Sequence, residues 1–169
     1  MHNFLSFDYH QIEMVVSGGQ HGADLGGLLA AKDFGIKTGG FAPKGWRTCQ
    51  GANPSLAIFN LRESHSPDFT IRTKQNIAIS DGTIIFASNI NSPGTRLTIK
   101  QCTSHRPFLI CDIHTTTEDI INWVTLNNIR ILNVAGNRDF VNPKFSHKQW
   151  AQESLSKVFS KLADLTFNK

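Results

Sequence analysis

The sequence predicts an α/β fold: a doubly wound, mainly parallel sheet with helices on both faces, formed as one domain over residues 1–169. Three observations predict it. Short apolar segments alternate with longer stretches of helical period, and several of the short segments are too uniformly apolar to have a wet face. The first of them also breaks into a cluster of glycines that leads straight into a helix.

The predicted strands are residues 13–17, 37–41, 82–88, 107–112 and 130–134. Residues 23–34 form the first helix, which Gly35 stops. Ser66-Pro67-Asp68 opens the second with a cap and a proline at its first position. Residues 94–104 make the third, and Thr115-Thr116-Thr117-Glu118 supplies a capping box for a fourth that carries Ile120, Ile121 and Val124. After Pro143, Ser146-His147-Lys148-Gln149 begins a terminal helix whose Trp150, Leu155, Val158, Phe159 and Leu162 recur at helical spacing. Those residues read as packing. Residues 38–61 are a long Gly/Pro-rich connection, of the kind that often carries function.

Composition narrows the classes. A chain of 169 residues can bury a full core without staples, and three scattered cysteines, Cys49, Cys102 and Cys111, suggest neither a zinc site nor a disulfide framework. The start Met1-His2-Asn3-Phe4 has no leader pattern and no run of eighteen apolar residues occurs, so a soluble cytoplasmic protein without membrane contact is expected. Seventeen Lys+Arg against thirteen Asp+Glu give a net charge of +4, spread along the chain. That balance favours small anionic ligands and does not imply nucleic acid.

In a doubly wound sheet, ligands bind where strands end and the connection direction reverses. The strand-end loops therefore hold the candidate chemistry. Gly18, Gly19 and Gly22, with Gln20 and His21 between them, form a phosphate cradle in which backbone N–H groups and a helix N-terminus converge; a tight turn needing glycine for geometry alone fits the same residues. A protonated His21 could touch phosphate there. Asp24 reads as a dipole partner of its helix.

The loop after the second strand brings Lys44 as a point charge, Arg47 as a bidentate grip and Trp46 as a stacking surface, unless Trp46 folds inward. Arg72 and Asn76 share a helix face and either reach a ligand or brace the preceding loop. Gly94 and Thr95 open a helix as a second anion site, an ordinary turn and cap being the competing reading. Arg138 follows the last strand, where Asp139 could instead hold it in an ion pair. No histidines have metal-ligand spacing, no serine or cysteine sits in a nucleophile elbow, and most histidines read as surface residues. No metal ligands and no catalytic residues are assigned.

Ser17-Gly18-Gly19-Gln20 with Gly22 and Asp24, Pro43-Lys44-Gly45, Leu61-Arg62-Glu63, Arg72-Thr73 with Asn76, Ser80-Asp81-Gly82-Thr83, Gly94-Thr95 and Leu132-Asn133-Val134-Ala135-Gly136 occur in an order that resembles the molybdenum cofactor carrier protein family. The resemblance spans about residues 13–139. It implies a Rossmann-like fold related to the Lonely Guy ("lysine decarboxylase-like") nucleotide-binding superfamily. It also implies a homo-oligomer, a tetramer, that stores or carries molybdenum cofactor, a pterin bearing a phosphate and a dithiolene-bound metal. Transient contact with molybdenum enzymes would follow.

The chain departs from the pattern at His21, at Pro93-Gly94, and at Asn137-Arg138-Asp139-Phe140. The phosphoribohydrolase relatives place a reacting glutamate where this chain has Thr98. A hydroxyl cannot replace that carboxylate, so the expectation is a non-catalytic carrier, with nucleotide hydrolysis or nucleotide sensing as the alternatives and Glu63 or Asp81 as substitute carboxylates.

Overall fold

A computed structural model describes residues 12–140 and 144–167; the readings made on Met1–Phe4 and on Pro143 lie outside the described residues. In chain order the elements are β1 (Met14–Val16), α1 (Ala23–Asp33), β2 (Lys37–Gly39), β3 (Phe41–Ala42), β4 (Arg47–Thr48), β5 (Gly51–Ala52) and a 3-10 turn (Pro54–Phe59). Then follow β6 (Arg62–Glu63), α2 (Phe69–Ile79), β7 (Gly82–Phe86), α3 (Pro93–His105), β8 (Phe108–Cys111), α4 (Thr117–Leu126), β9 (Ile131–Gly136) and α5 (His147–Phe167).

Five strands form one sheet in the order β2-β1-β9-β7-β8, and every pair is parallel. If β9 is counted as the first strand, that order becomes 3-2-1-4-5, the order of doubly wound dinucleotide-binding sheets. The chain thus supplies the sheet's first strand last. The reversal of connection direction falls between β9 and β7, and that is where a ligand crevice is expected.

Apolar patterning drives the layering. Val15, Ile84, Phe86, Leu132 and Val134 point from the sheet into a core closed by Ala30 and Ala31 of α1, Ile120, Ile121 and Val124 of α4, and Leu155, Val158 and Leu162 of α5. Leu155 is fully buried there, an environment in which truncation to alanine costs about 2–5 kcal/mol. Gly26 and Gly27 let α1 lie close between α5 and β9, because an added Cβ would meet the Lys148 carbonyl or the Val134 side chain. The opposite face carries α2 and α3 and is more polar; Asn133 Nδ2 there donates to Thr83 Oγ1 at 3.1 Å, both residues buried.

Several element ends differ from the sequence expectation. The expected second strand breaks at Gly40, whose φ of 117° turns Phe41–Ala42 away to pair with Arg62–Glu63. The last strand continues two residues past the expected Val134, to Gly136. Asp68 caps α2 by accepting from the Thr70 N–H at 2.8 Å, so Pro67 precedes the cap instead of starting the helix. The capping box of α4 is Thr116 with Asp119, one residue later than the sequence suggests. Thr115 is engaged elsewhere: its hydroxyl accepts from the Asp112 N–H at 3.0 Å.

Candidate functional site

At the carboxyl ends of β7 and β9 lies a cleft of about 940 Å³. Gly136, Ser88 and His147 line it on the sheet side, Ser92 to Thr95 at the start of α3 on one flank, and Phe69 and Arg138 on the other. Asn137 clamps the two strand ends together. Its Oδ1 accepts from Asn89 N–H at 2.8 Å, and its Nδ2 donates to Asn89 O at 2.9 Å and towards Ser92 Oγ and Thr95 Oγ1 at 3.1 Å. The first turn of α3 is thereby held rigid at the cleft, and the N–H groups of Gly94 and Thr95 have no acceptor within the helix. Thr95 itself is buried at 2 % exposure, its hydroxyl committed to this network.

Two guanidinium groups sit on one aromatic ring. The Arg138 Cζ lies 4.6 Å and the Arg47 Cζ 5.1 Å from the centroid of Phe69. Stacking of this kind holds the guanidinium plane while leaving its edge N–H donors available to an anion. Behind them lies Arg72, its side chain 12 % exposed, with Nη1 3.2 Å from Asp24 Oδ2. Burial raises the Asp24 carboxyl above its ordinary range against the pull of Arg72 and, less strongly, Arg138. Burial likewise lowers the Arg72 guanidinium, Asp24 opposing. The Arg72 Nε and the Gln20 Oε1 are buried without a hydrogen-bond partner among the described residues.

Most of the predicted residues fall into two groups, with Lys44 and Asn76 outside both. Gly94, Thr95 and Arg138 line the cleft, with Arg47 joined to them through Phe69. The glycine loop lies beside this group and is packed by protein. A Cβ at Gly18 would strike the Arg72 guanidinium, at Gly19 the Leu56 and Leu61 side chains, and at Gly22 the Asn137–Asp139 backbone. Gln20 Nε2 donates to Arg47 O at 3.1 Å, and His21 O accepts from the Asp139 N–H at 3.0 Å, so the loop supports both arginine-bearing segments.

Asn76 takes the bracing role: its amide accepts from Phe41 N–H at 2.8 Å and donates to Phe41 O at 3.1 Å. Lys44 is exposed and does not line the cleft, and Trp46 folds against the small apolar cluster of Leu56, Phe59 and Leu61. Thr98 turns its hydroxyl to Gly94 O at 3.0 Å. The substitute carboxylates are directed elsewhere, Glu63 to the Gly45 N–H and Asp81 to the N–H groups of Arg130 and Ile131.

Sequence reasoning missed a constellation on the same cleft. Asp139 turns to the start of α5 instead of to Arg138, accepting from the N–H groups of His147 at 2.7 Å and Lys148 at 3.0 Å and from Ser146 Oγ at 2.9 Å. Burial works to raise its carboxyl, but these hydrogen bonds prevail and hold it below the ordinary aspartate value. Its Oδ1 also lies 3.0 Å from His147 Nδ1, and His147 Nε2 lies 2.8 Å from Ser88 Oγ. His147, expected with the surface histidines, is only 8 % exposed. Ser88 and His147 are 59 residues apart, so no local spacing announces the pair.

Residues 15–159 match the family model of cpYpsA, the circularly permutated YpsA SLOG family. A solved structure described as a "putative molybdenum carrier protein" from Syntrophus aciditrophicus SB superposes with a TM-score of 0.78 at 33% sequence identity, covering 88% of this chain and 94% of that one. No curated protein matches the chain. Among the described residues no helix is long and apolar enough to cross a membrane.

Proposed function

The chain belongs to the circularly permutated YpsA SLOG family, and we propose that it is a carrier that holds molybdenum cofactor in the cleft between β7 and β9. The observation that carries this reading is the pairing of a rigid α3 N-terminus with two guanidinium groups stacked on Phe69. The cargo presents a phosphate, a polar pterin edge and an anionic oxo-metal end. Phosphate suits the N–H groups of Gly94 and Thr95, where the helix dipole adds to the hydrogen bonds. Arg138 and Arg47 suit the second anionic end. Leu97 and Phe140 supply an apolar wall, and the positive charge of Arg72 stands behind the arginine pair. The cargo brings its own sulfur ligands for the metal, so the chain need supply none. The orientation of Thr98, Glu63 and Asp81 supports holding over glycosidic cleavage.

The test adds cofactor released from a molybdenum enzyme, without oxygen, to the purified protein and follows co-elution and lifetime. Arg138→Ala and Arg47→Ala should each weaken retention by about tenfold, the effect of losing one charge-assisted pair of roughly 1.4 kcal/mol. Retention that is absent in the wild type, or unchanged from wild type in both variants, overturns the reading. Native mass spectrometry of protein from its source cells gives ligand mass and subunit count together. It therefore also tests the tetramer and separates molybdenum cofactor from a nucleotide.

A further inference from the structure

Ser88, His147 and Asp139 have the connectivity of a nucleophile, a general base and the carboxylate that orients it. Ser88 Oγ meets Nε2, and Asp139 meets Nδ1. We infer that the cleft houses a serine-nucleophile hydrolase centre for carboxylic esters that carry a separate anionic group. Such a centre rests on these three side chains and does not depend on carriage of a cofactor.

The tautomer follows from the partners. An ionised carboxylate can only accept, so His147 Nδ1 carries the proton and Nε2 offers its lone pair to the Ser88 hydroxyl. Helix capping alone does not require this. Asp139 already anchors α5 through the backbone N–H groups of His147 and Lys148 and through Ser146 Oγ. The imidazole goes further and reaches across to Ser88, an exposed residue two positions beyond the end of β7 that lines the cleft. The rings of Phe145 and Trp150 pack against His147, with centroids 5.1 and 6.3 Å away, and fix its orientation.

In the reaction, Ser88 Oγ bonds to the ester carbonyl carbon while its proton passes to His147 Nε2, and the carbonyl electron pair moves onto oxygen. The N–H of Asn89 is already taken by Asn137 Oδ1, so the donors for that oxyanion are the N–H groups of Gly94 and Thr95 at the start of α3. Collapse breaks the C–O bond, and the leaving alkoxide takes the proton from Nε2. Water then attacks the acyl-serine, gives a proton to Nε2, and Ser88 departs with that proton. The net change is ester plus water to acid plus alcohol. Arg138 would hold the anionic group of the substrate, and Leu97 and Phe140 its apolar part.

The test uses the full chain and diisopropyl fluorophosphate, with the adduct located by peptide mass mapping. The expected result is one adduct at Ser88, none at that position in Ser88→Ala, and labelling slowed by about a hundredfold or more in His147→Gln. Ser88→Ala should retain its thermal midpoint, so that loss of the adduct reports loss of the hydroxyl and not of the fold. Steady hydrolysis of a 4-nitrophenyl ester bearing a remote carboxylate should disappear in Ser88→Ala and show at least a tenfold higher KM in Arg138→Gln. No adduct at Ser88, an equal labelling rate in His147→Gln, or ester hydrolysis that survives Ser88→Ala overturns the inference.

Discussion

Replacing Arg72 by methionine tests how the buried charge under the site is held. Methionine keeps an apolar stem over Gly18, where the arginine now lies, but removes the positive partner 3.2 Å from Asp24. Asp24 is 5 % exposed and burial already raises its carboxyl. Without Arg72 the cheaper course is for Asp24 to take up a proton. From an unfolded value of about 3.9, neutralising a carboxyl at pH 7 costs about 1.36 kcal/mol for each of roughly three units, or about 4 kcal/mol; at pH 5 the figure falls to about 1.5 kcal/mol. This is a ceiling, because the residual attraction of Arg138 reduces it.

The sign is that of a carboxyl whose folded pKa is raised. The penalty is absent below the unfolded value and grows as pH climbs towards the folded one. Guanidinium chloride unfolding of wild type and Arg72→Met at pH 5, 6 and 7 reads it directly. In the Asp24→Asn/Arg72→Met double variant the pH dependence should vanish. An Arg72→Met penalty that is the same at pH 5 and pH 7, or a double variant that still shows the slope, refutes the reasoning.

Three further outcomes are expected. Gly136→Ala should destabilise by at least about 2 kcal/mol in chemical denaturation, because φ there is 153° and the new Cβ would run into the Phe86 carbonyl. A native thiol titration with a chromogenic disulfide should count one fast cysteine, Cys49, and two more only after unfolding. Cys102 and Cys111 are buried, and burial pushes the Cys111 thiol up to about 12. Asp139 has a lowered folded pKa, so its stabilisation of α5 is full above the unfolded value of about 3.9 and is lost as pH falls through the folded one. The difference in thermal midpoint between wild type and Asp139→Asn should therefore shrink below about pH 4.

What the sequence disclosed was whatever repeats locally. The run Gly82–Phe86 is buried throughout, and its uniform apolarity is by itself the mark of a strand covered on both faces. Leu155, Val158, Phe159 and Leu162 share one helix face and are all buried, again a local signal. The site is built differently. Arg72 meets Asp24 across 48 residues and Asn137 reaches Asn89 across 48 more, by contacts that only the sheet order creates. Reading Arg47 and Arg138 as anion grips needed only their place at strand ends; reading Phe69 as the ring that carries both needed the fold. The capping register of α4 failed for a related reason: Asp112, outside the helix, had already engaged Thr115.

The position of β9 also has a bearing on how the molecule is made. During synthesis β1 and β2 can pair early, and so can β7 and β8, but the two halves share no ladder until residues 131–136 arrive between them. Each half meanwhile exposes an apolar edge, Val15 and Val16 on one and Ile84 to Phe86 on the other, to any other nascent chain. Assembly of the sheet is consequently an insertion event late in translation. Delayed arrival of residues 131–136 would lengthen the interval in which the unfinished chain is vulnerable to aggregation, without altering the finished protein.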